Sequence, residues 1–342
     1  IGFNSNLKLL IISIANCLRK KGDCEITFLV NSSALAVDLI KSHGFEVLTL
    51  DYPLNEERET AETVEVIKKQ RPRIVICDLS NGSDSYFEAI KEHTDFLAVI
   101  LDNNVHKRVP GDLIINFSIT QNAGFYESDG ITNANITNTY VGPMYMPLDE
   151  TIQHQAPAQN ETVRKIFVNQ GGSDPYELTN KIIAALELLD LEQEIIVVMG
   201  GAMIAEHVEK INMRRPSLKN NYAFYHDINH EKMIELMTSA DLAITAAGNT
   251  LYELAALGIP SITVCHHELH NNIAKKFVER NAVVNLGIGI DMPLATIAKA
   301  TTKLINDVQR RNDLRKYIRR VTDGKGCERI AELILTKSVR DV

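Results

Sequence analysis

Three polar segments, each following an apolar run, carry the residues best suited to chemistry. The first is Val168-Asn169-Gln170-Gly171-Gly172-Ser173-Asp174-Pro175. Adjacent glycines let backbone N–H groups approach a phosphate with no Cβ in the way. A helix opening just beyond them favours the anion by about 0.3–1 kcal/mol at an exposed site. Gly171, Gly172 and Ser173 are thus candidate phosphate ligands, while Ser173 or Asp174 serves equally well as a plain helix cap. The second segment begins Ala246-Ala247-Gly248-Asn249-Thr250 and continues through Glu253 to a helix stop at Gly258 and Pro260. Gly248, Asn249 and Thr250 occupy another glycine-to-helix turn. Glu253 fits a capping box opened by Thr250, and fits equally a carboxylate accepting two hydrogen bonds from a ribose diol. The third is His266-His267-Glu268-Leu269-His270-Asn271-Asn272. No inward-facing H-E-x-x-H helix and no fourth ligand accompany these histidines, so no metal is expected. His267, His270, Asn271 and Asn272 are instead candidates for hydrogen bonds to a sugar or phosphate, or are solvent-facing polar residues. Asp78 and Asp102 each end an apolar run ahead of a polar loop. Carboxylates so placed either cap the next turn or act as acid, base or sugar ligand.

The elements that must position these residues are short apolar runs rich in Val and Ile. They fall at 25–30, 46–51, 74–79, 96–102 and 113–117, then at 165–169, 194–199, 222–226, 242–246, 261–265 and 282–286. Near-continuous hydrophobicity suits strands buried on both faces of a parallel sheet. Helical periodicity begins around Leu9 and recurs at 176–189, 231–239, 250–257, 269–280 and 294–306. Such alternation predicts an α/β protein with doubly wound sheets, in which the carboxyl ends of the strands bind ligands. Residues 147–162 lack periodicity. The expected division is therefore a Rossmann-like domain over 1–147, a linker over 148–162 and a nucleotide-binding Rossmann-like domain over 163–342, with a ligand cleft between the two.

Composition narrows the function classes. A chain of 342 residues exceeds what one core usually supports. The formal net charge of −8 argues against general nucleic-acid binding. The arginines between 310 and 320 follow a helical pattern and are expected on a solvated face. None of the five cysteines forms a C-x-x-C pair, which points to a reducing compartment. No apolar run reaches the roughly 20 residues of a membrane span, and no secretory leader is evident. The expectation is a cytoplasmic protein without a cofactor. Neither glycine turn is a full G-x-G-x-x-G followed by a strand-end acid, so a dinucleotide site is not expected. The chain opens Ile-Gly rather than Met, as expected of a sequence that begins inside a longer protein.

Taken together, Leu101-Asp102-Asn103, Pro110-Gly111-Asp112-Leu113 with Asn116, Val141-Gly142-Pro143-Met144-Tyr145, Gly171 to Pro175, Ala240-Asp241-Leu242 and Ala247 to Thr250 with Glu253 form a pattern. It resembles the MurG-like branch of the GT-B glycosyltransferases, and within it the PseG-like UDP-sugar hydrolases of pseudaminic acid synthesis and the SpsG-type spore-coat polysaccharide proteins. The resemblance implies a UDP-sugar ligand. The glycine pair and the Gly248–Thr250 loop would hold the pyrophosphate, Glu253 the ribose, and the backbone at His226 the uracil. The residues from His270 to Asn272 would approach the sugar or phosphate. PseG-like relatives open with a strand and a loop resembling I-G-x-G-H-x-x-R, whose His activates water. Here Asn4 replaces the second glycine of that loop, Ser5 the His and Lys8 the Arg, and the leading strand is absent. Ser5 is no base near neutral pH, so Asp102 is the candidate substitute. The implied function is hydrolysis of a UDP-N-acetyl-sugar. The alternatives are glycosyl transfer from a UDP-sugar and a non-catalytic binding subunit that has lost the loop histidine.

Overall fold

The computed structural model describes residues 5–31, 34–50, 55–78, 82–102, 109–121, 138–155 and 160–338. They divide into two compact units, residues 1–149 with 325–342 and residues 150–324. The final helix thus joins the first unit, whereas the sequence reading carries the second domain to residue 342.

The first unit runs α1 (Ser5–Lys21), β1 (Thr27–Asn31), α2 (Ala34–Ser42), β2 (Glu46–Leu50), α3 (Glu56–Gln70), β3 (Ile74–Asp78), α4 (Asp84–Lys91), β4 (Phe96–Leu101), β5 (Leu113–Asn116) and β6 (Thr139–Val141). Its described strands are parallel and form two sheets, β1-β2 and β3-β4-β5-β6. All six residues of β4 are buried, as its unbroken apolar run requires. The closing helix α12 (Gly326–Lys337) is locked on by close backbone approach. A Cβ on Gly326 would lie 2.0 Å from the Met146 carbonyl oxygen, Cys327 Sγ donates to Leu148 O at 3.2 Å, and Arg329 donates to Met144 O at 3.0 Å.

The second unit runs β7 (Lys165–Asn169), α5 (Leu178–Leu186), β8 (Glu194–Met199), α6 (Ala205–Arg214), β9 (Asn221–His226), α7 (His230–Thr238), β10 (Leu242–Thr245), α8 (Asn249–Leu257), β11 (Ser261–Cys265), α9 (Glu268–Glu279), β12 (Val284–Ile288), α10 (Leu294–Asn306) and α11 (Val308–Ile318). One six-stranded parallel sheet results, in the order β12-β11-β10-β7-β8-β9. The chain lays down β7, β8 and β9 in one direction, then crosses back to start β10 on the other side of β7. A topological switch point therefore falls between β7 and β10, where open α/β sheets take ligands. Ile166, Val168, Ile195, Val197, Leu242, Ile244, Ile262 and Val264 fill the core under the helices, none more than 3% exposed.

Two expectations change, and one motif residue takes a structural role. The start of the expected linker is a folded 3₁₀ turn, Glu150–His154, tied to the end of the second unit by Gln153 donating to Gly324 O at 3.1 Å; residues 156–159 lie outside the described residues. The arginine-bearing helix α11 is not simply a solvated face. Arg311 is 1% exposed and donates to the carbonyls of Leu304, Ile305 and Glu161. Those acceptors are orphan carbonyls near the end of α10 and the backbone ahead of β7, so the guanidinium satisfies groups that burial would otherwise strand. Finally, Asp241 sits at the amino end of β10, opposite the ligand edge. Its carboxylate accepts from the N–H groups of Arg164 and Lys165 at 2.8 and 3.0 Å and from Asn160 Nδ2 at 2.8 Å. That residue of the Ala240-Asp241-Leu242 motif therefore holds the entry to β7.

Candidate functional site

The site grows from Asn169, the polar residue that closes β7. It is 3% exposed and its amide group bonds through both its nitrogen and its oxygen. Nδ2 donates to Val198 O at 3.0 Å, Oδ1 accepts from Gly171 N–H at 3.0 Å, and Thr250 Oγ1 donates to the same oxygen at 3.4 Å. One side chain thus draws the first and second sequence motifs together across the switch point. The polar character of the last residue in an otherwise apolar run was the signal available for it in the sequence.

Gly171 turns the chain with φ 79°, a conformation that strains any residue with a Cβ. Beside it the turn after β8 leans directly on the glycine pair. A Cβ on Gly200 would lie 2.4 Å from both Gly172 Cα and Gly172 O, and Ala202 N–H donates to Gly172 O at 3.0 Å. The outward side is open. A Cβ built on Gly171 or on Gly248 meets nothing within 4 Å, and one on Gly172 meets only Ala202 Cβ, at 4.0 Å. Gly172 and Gly248 also have no positive φ. Neither packing nor backbone conformation inside the protein requires glycine at these two positions.

The two helices behind these loops are capped differently. Asp174, 1% exposed and at φ 37°, accepts from the N–H groups of Leu178 and Thr179, both at 2.8 Å. A carboxylate of the protein already satisfies the amino end of α5, so that helix offers an incoming anion little. Ser173 stays exposed. Helix α8 is capped by Gly248, which has φ −101° and ψ −157° and no side chain to bond its N–H groups. The anion-seeking end is therefore that of α8. Because the cap is Gly248, Thr250 is inside the helix and the capping box proposed for Glu253 does not form. Glu253 lies half-buried in the second turn of α8.

The third motif joins the same edge from β11. His266 is 5% exposed and its Nε2 lies 3.6 Å from Asp174 Oδ1. Its ring centroid is 6.0 Å from that of Tyr176 and 5.4 Å from that of His270. His267 caps α9 from an exposed position and its ring lies 4.1 Å from that of His270. Burial, with the neighbouring His267 and His266, pushes the His270 imidazole down to about 4. His266 is also lowered, by burial first, while Asp174 opposes. His266 and Asp174 were not among the expected ligands; their burial is a tertiary property that residue type alone does not carry. Asn271 and Asn272 are engaged locally. Asn271 Oδ1 accepts from Asn285 Nδ2 at 3.0 Å and Asn272 Oδ1 accepts from Lys275 Nζ at 3.3 Å. His226 ends β9, the outermost strand, exposed. The next residue, Asp227, covers Gly201 so closely that a Cβ there would lie 2.1 Å from Asp227 Oδ1. Among the described residues no group of three or more His, Cys, Asp or Glu is arranged to hold a metal ion.

Residues 166–319 match the glycosyltransferase family 28 C-terminal domain. That span contains every element of the site just described in the second unit. The chain is 28% identical over 324 residues to the spore coat polysaccharide biosynthesis protein SpsG of Bacillus subtilis (strain 168), covering 92% of this chain and 89% of that protein. A shorter likeness, 26% over 160 residues, covers 47% of this chain and 27% of a Helicobacter pylori protein described as pseudaminic acid cytidylyltransferase and UDP-2,4-diacetamido-2,4,6-trideoxy-beta-L-altropyranose hydrolase. Among solved structures, MurG of Acinetobacter baumannii superposes with a TM-score of 0.70 at 16% identity, covering 96% of this chain and 95% of that one. The fold is GT-B, with two Rossmann-like α/β domains.

In the first unit the carboxyl edge brings two acids together. β3 and β4 pair in register, Asp78 opposite Ile100, so Asp78 and Asp102 leave neighbouring strands at one end. Burial, and secondly the charge of Asp102, push Asp78 up to about 7. Burial also raises Asp102, against a backbone hydrogen bond that lowers it. The side chain of Ser5, and residues 1–4 with it, lie outside the described residues, as do 79–81 and 103–108. No helix of the described residues is long and apolar enough to cross a membrane.

Proposed function

We propose that this protein is a UDP-N-acetyl-sugar hydrolase of surface-polysaccharide or nonulosonic-acid biosynthesis. The carrying observation is the open edge at the switch point, where a Cβ on Gly248 would meet nothing within 4 Å, one on Gly172 only Ala202 Cβ at 4.0 Å, and no side chain caps the amino end of α8. A diphosphate is the ligand class that such an edge suits. The relatives support the reading: SpsG is named for polysaccharide biosynthesis, and the Helicobacter pylori protein for hydrolysis of a UDP-linked sugar. On this reading Gly171, Gly172, Ser173, Gly248, Asn249 and Thr250 hold the diphosphate, Glu253 the ribose and His226 the base. His267 and His270 address the sugar or the phosphate next to it.

Hydrolysis needs a group to take a proton from water as its oxygen bonds to the anomeric carbon or to phosphorus. The bond to the leaving group breaks in that step, and the leaving group carries away the electron pair. Asp102 is assigned the proton. Asp78, protonated up to about pH 7, is assigned as a hydrogen-bond donor to the sugar. Glycosyl transfer is the second reading, favoured by the family 28 match and the MurG likeness. Phosphorus NMR with a panel of UDP-N-acetyl-sugars and no acceptor separates the two. Hydrolysis predicts UDP or UMP release far above the uncatalysed rate, and oxygen-18 water marks the atom attacked. Binding without release would sink hydrolysis; release that begins only on adding an acceptor would establish transfer.

A further inference from the structure

The edge assigned to a diphosphate has no lysine or arginine in its loops. The loops after the six strands, residues 170–177, 200–204, 227–229, 246–248, 266–267 and 289–293, contain neither. Lys181, the nearby lysine of α5, donates instead to the carbonyls of Gly289 and Ile290. Within these loops two negative charges would therefore meet backbone dipoles, neutral polar side chains and imidazoles, and no cationic side chain.

Three buried polar groups at this edge lack hydrogen-bond partners among the described residues. They are both amide atoms of Gln170, which is 1% exposed, His266 Nε2 and His270 Nδ1. Buried groups left unpaired in a native fold mark a missing partner. Gln170 opens the loop of the glycine pair, and His266 reaches across the β10 loop to Asp174 in that same loop. Gln170 adjoins the glycine pair in the chain, and His266 links Asp174 of the same loop to His270.

We propose that His266, whose Nε2 faces Asp174 Oδ1 at 3.6 Å, is the charge partner of the bound diphosphate and takes up a proton as the ligand enters. This rests on the nucleotide-sugar reading above. The groups facing His266 are Asp174 and Tyr176 from the loop after β7, and His267 and His270 from the start of α9. Glu268 is turned to Lys275, at 2.9 Å, and burial holds the Cys265 thiol up at about 12, out of range. Burial keeps His266 uncharged near neutral pH in the free protein. An adjacent dianion favours the imidazolium and raises its pKa. The bound form then holds one more proton than the free form between the two pKa values, so affinity falls as pH rises through that window, by up to about tenfold per pH unit for one proton.

Calorimetric titration with UDP-N-acetylglucosamine at pH 7, in buffers of different ionisation enthalpy, counts the protons. Both phosphates of this ligand are esterified and neither titrates there. The expected result is net uptake that falls by close to one proton in His266→Gln, while Asp78→Asn removes only the smaller share that Asp78 itself takes up near pH 7. Binding with no proton exchange overturns the proposal, as does uptake undiminished in His266→Gln or wholly abolished by Asp78→Asn. Absence of binding by every UDP-sugar overturns the nucleotide reading itself. Should His266→Gln fail to fold, histidine nitrogen NMR of the unaltered protein decides: the His266 ring must pass from neutral to imidazolium on adding ligand, and a ring that stays neutral refutes the proposal.

Discussion

Gly248→Asp is expected to leave the protein as stable as before or more so, while weakening UDP binding at least about 100-fold, equivalent to roughly 2.7 kcal/mol. Aspartate is among the best helix caps, and glycine trails it by a few tenths of a kcal/mol. The φ and ψ of Gly248 suit an aspartate cap, and a Cβ there meets nothing within 4 Å. The same carboxylate would stand where the diphosphate is assigned, blocking its approach and repelling it. Stability and affinity thus move in opposite directions, which general damage to the fold cannot produce. Gly200→Ala supplies the contrast. Its Cβ would press on Gly172 backbone at 2.4 Å, so it should destabilise by about 1–3 kcal/mol and disturb binding only through the displaced loop. Thermal unfolding and calorimetry on both variants check the pair. Unchanged UDP affinity in Gly248→Asp would remove the phosphate assignment.

Asp102→Asn is expected to lower kcat by about 10²–10⁴, the usual contribution of a positioned base, with UDP affinity unchanged. The pH profile carries further information. Asp78 and Asp102 titrate as a pair, and Asp78 is held up at about 7 by burial and by the Asp102 charge. In the assigned roles Asp102 must be ionised and Asp78 protonated, so activity should decline as pH rises through about 7. Asp78→Asn keeps a hydrogen-bond donor at every pH and should abolish that decline. Asp102→Asn removes the neighbouring charge, so the Asp78 carboxyl falls toward its ordinary range and the residual activity declines at lower pH. Initial rates from pH 5 to 9 measure both. If Asp102→Asn retains more than a tenth of kcat, the base is elsewhere.

The strands of the second unit were legible because burial on both faces leaves an unbroken apolar run; β7, β8 and β11 match the residues expected from sequence. Helices with little to bury were harder to find. In α3 only Thr63 and Ile67 are buried, and in α6 only Ile211, so neither has an apolar stripe wide enough to show periodicity. The three-residue β6 is too short for any pattern. At the site, the glycine turns were visible as residue types, yet their division of labour was not. That Asp174 seals α5 while Gly248 leaves α8 open depends on where each helix starts, and helix boundaries are the least legible feature of a sequence. The burial of Arg311 and His266 was equally hidden, because it depends on loops distant in the chain.

Amide hydrogen exchange with and without UDP locates the diphosphate, which is assigned to the carboxyl edge of the second sheet between β7 and β10. Exchange at residues 171–173 and 248–250 should slow on saturation with UDP, with the helix interiors of the second unit unchanged. Saturation with no protection of these amides, or protection confined to another part of the chain, would contradict it.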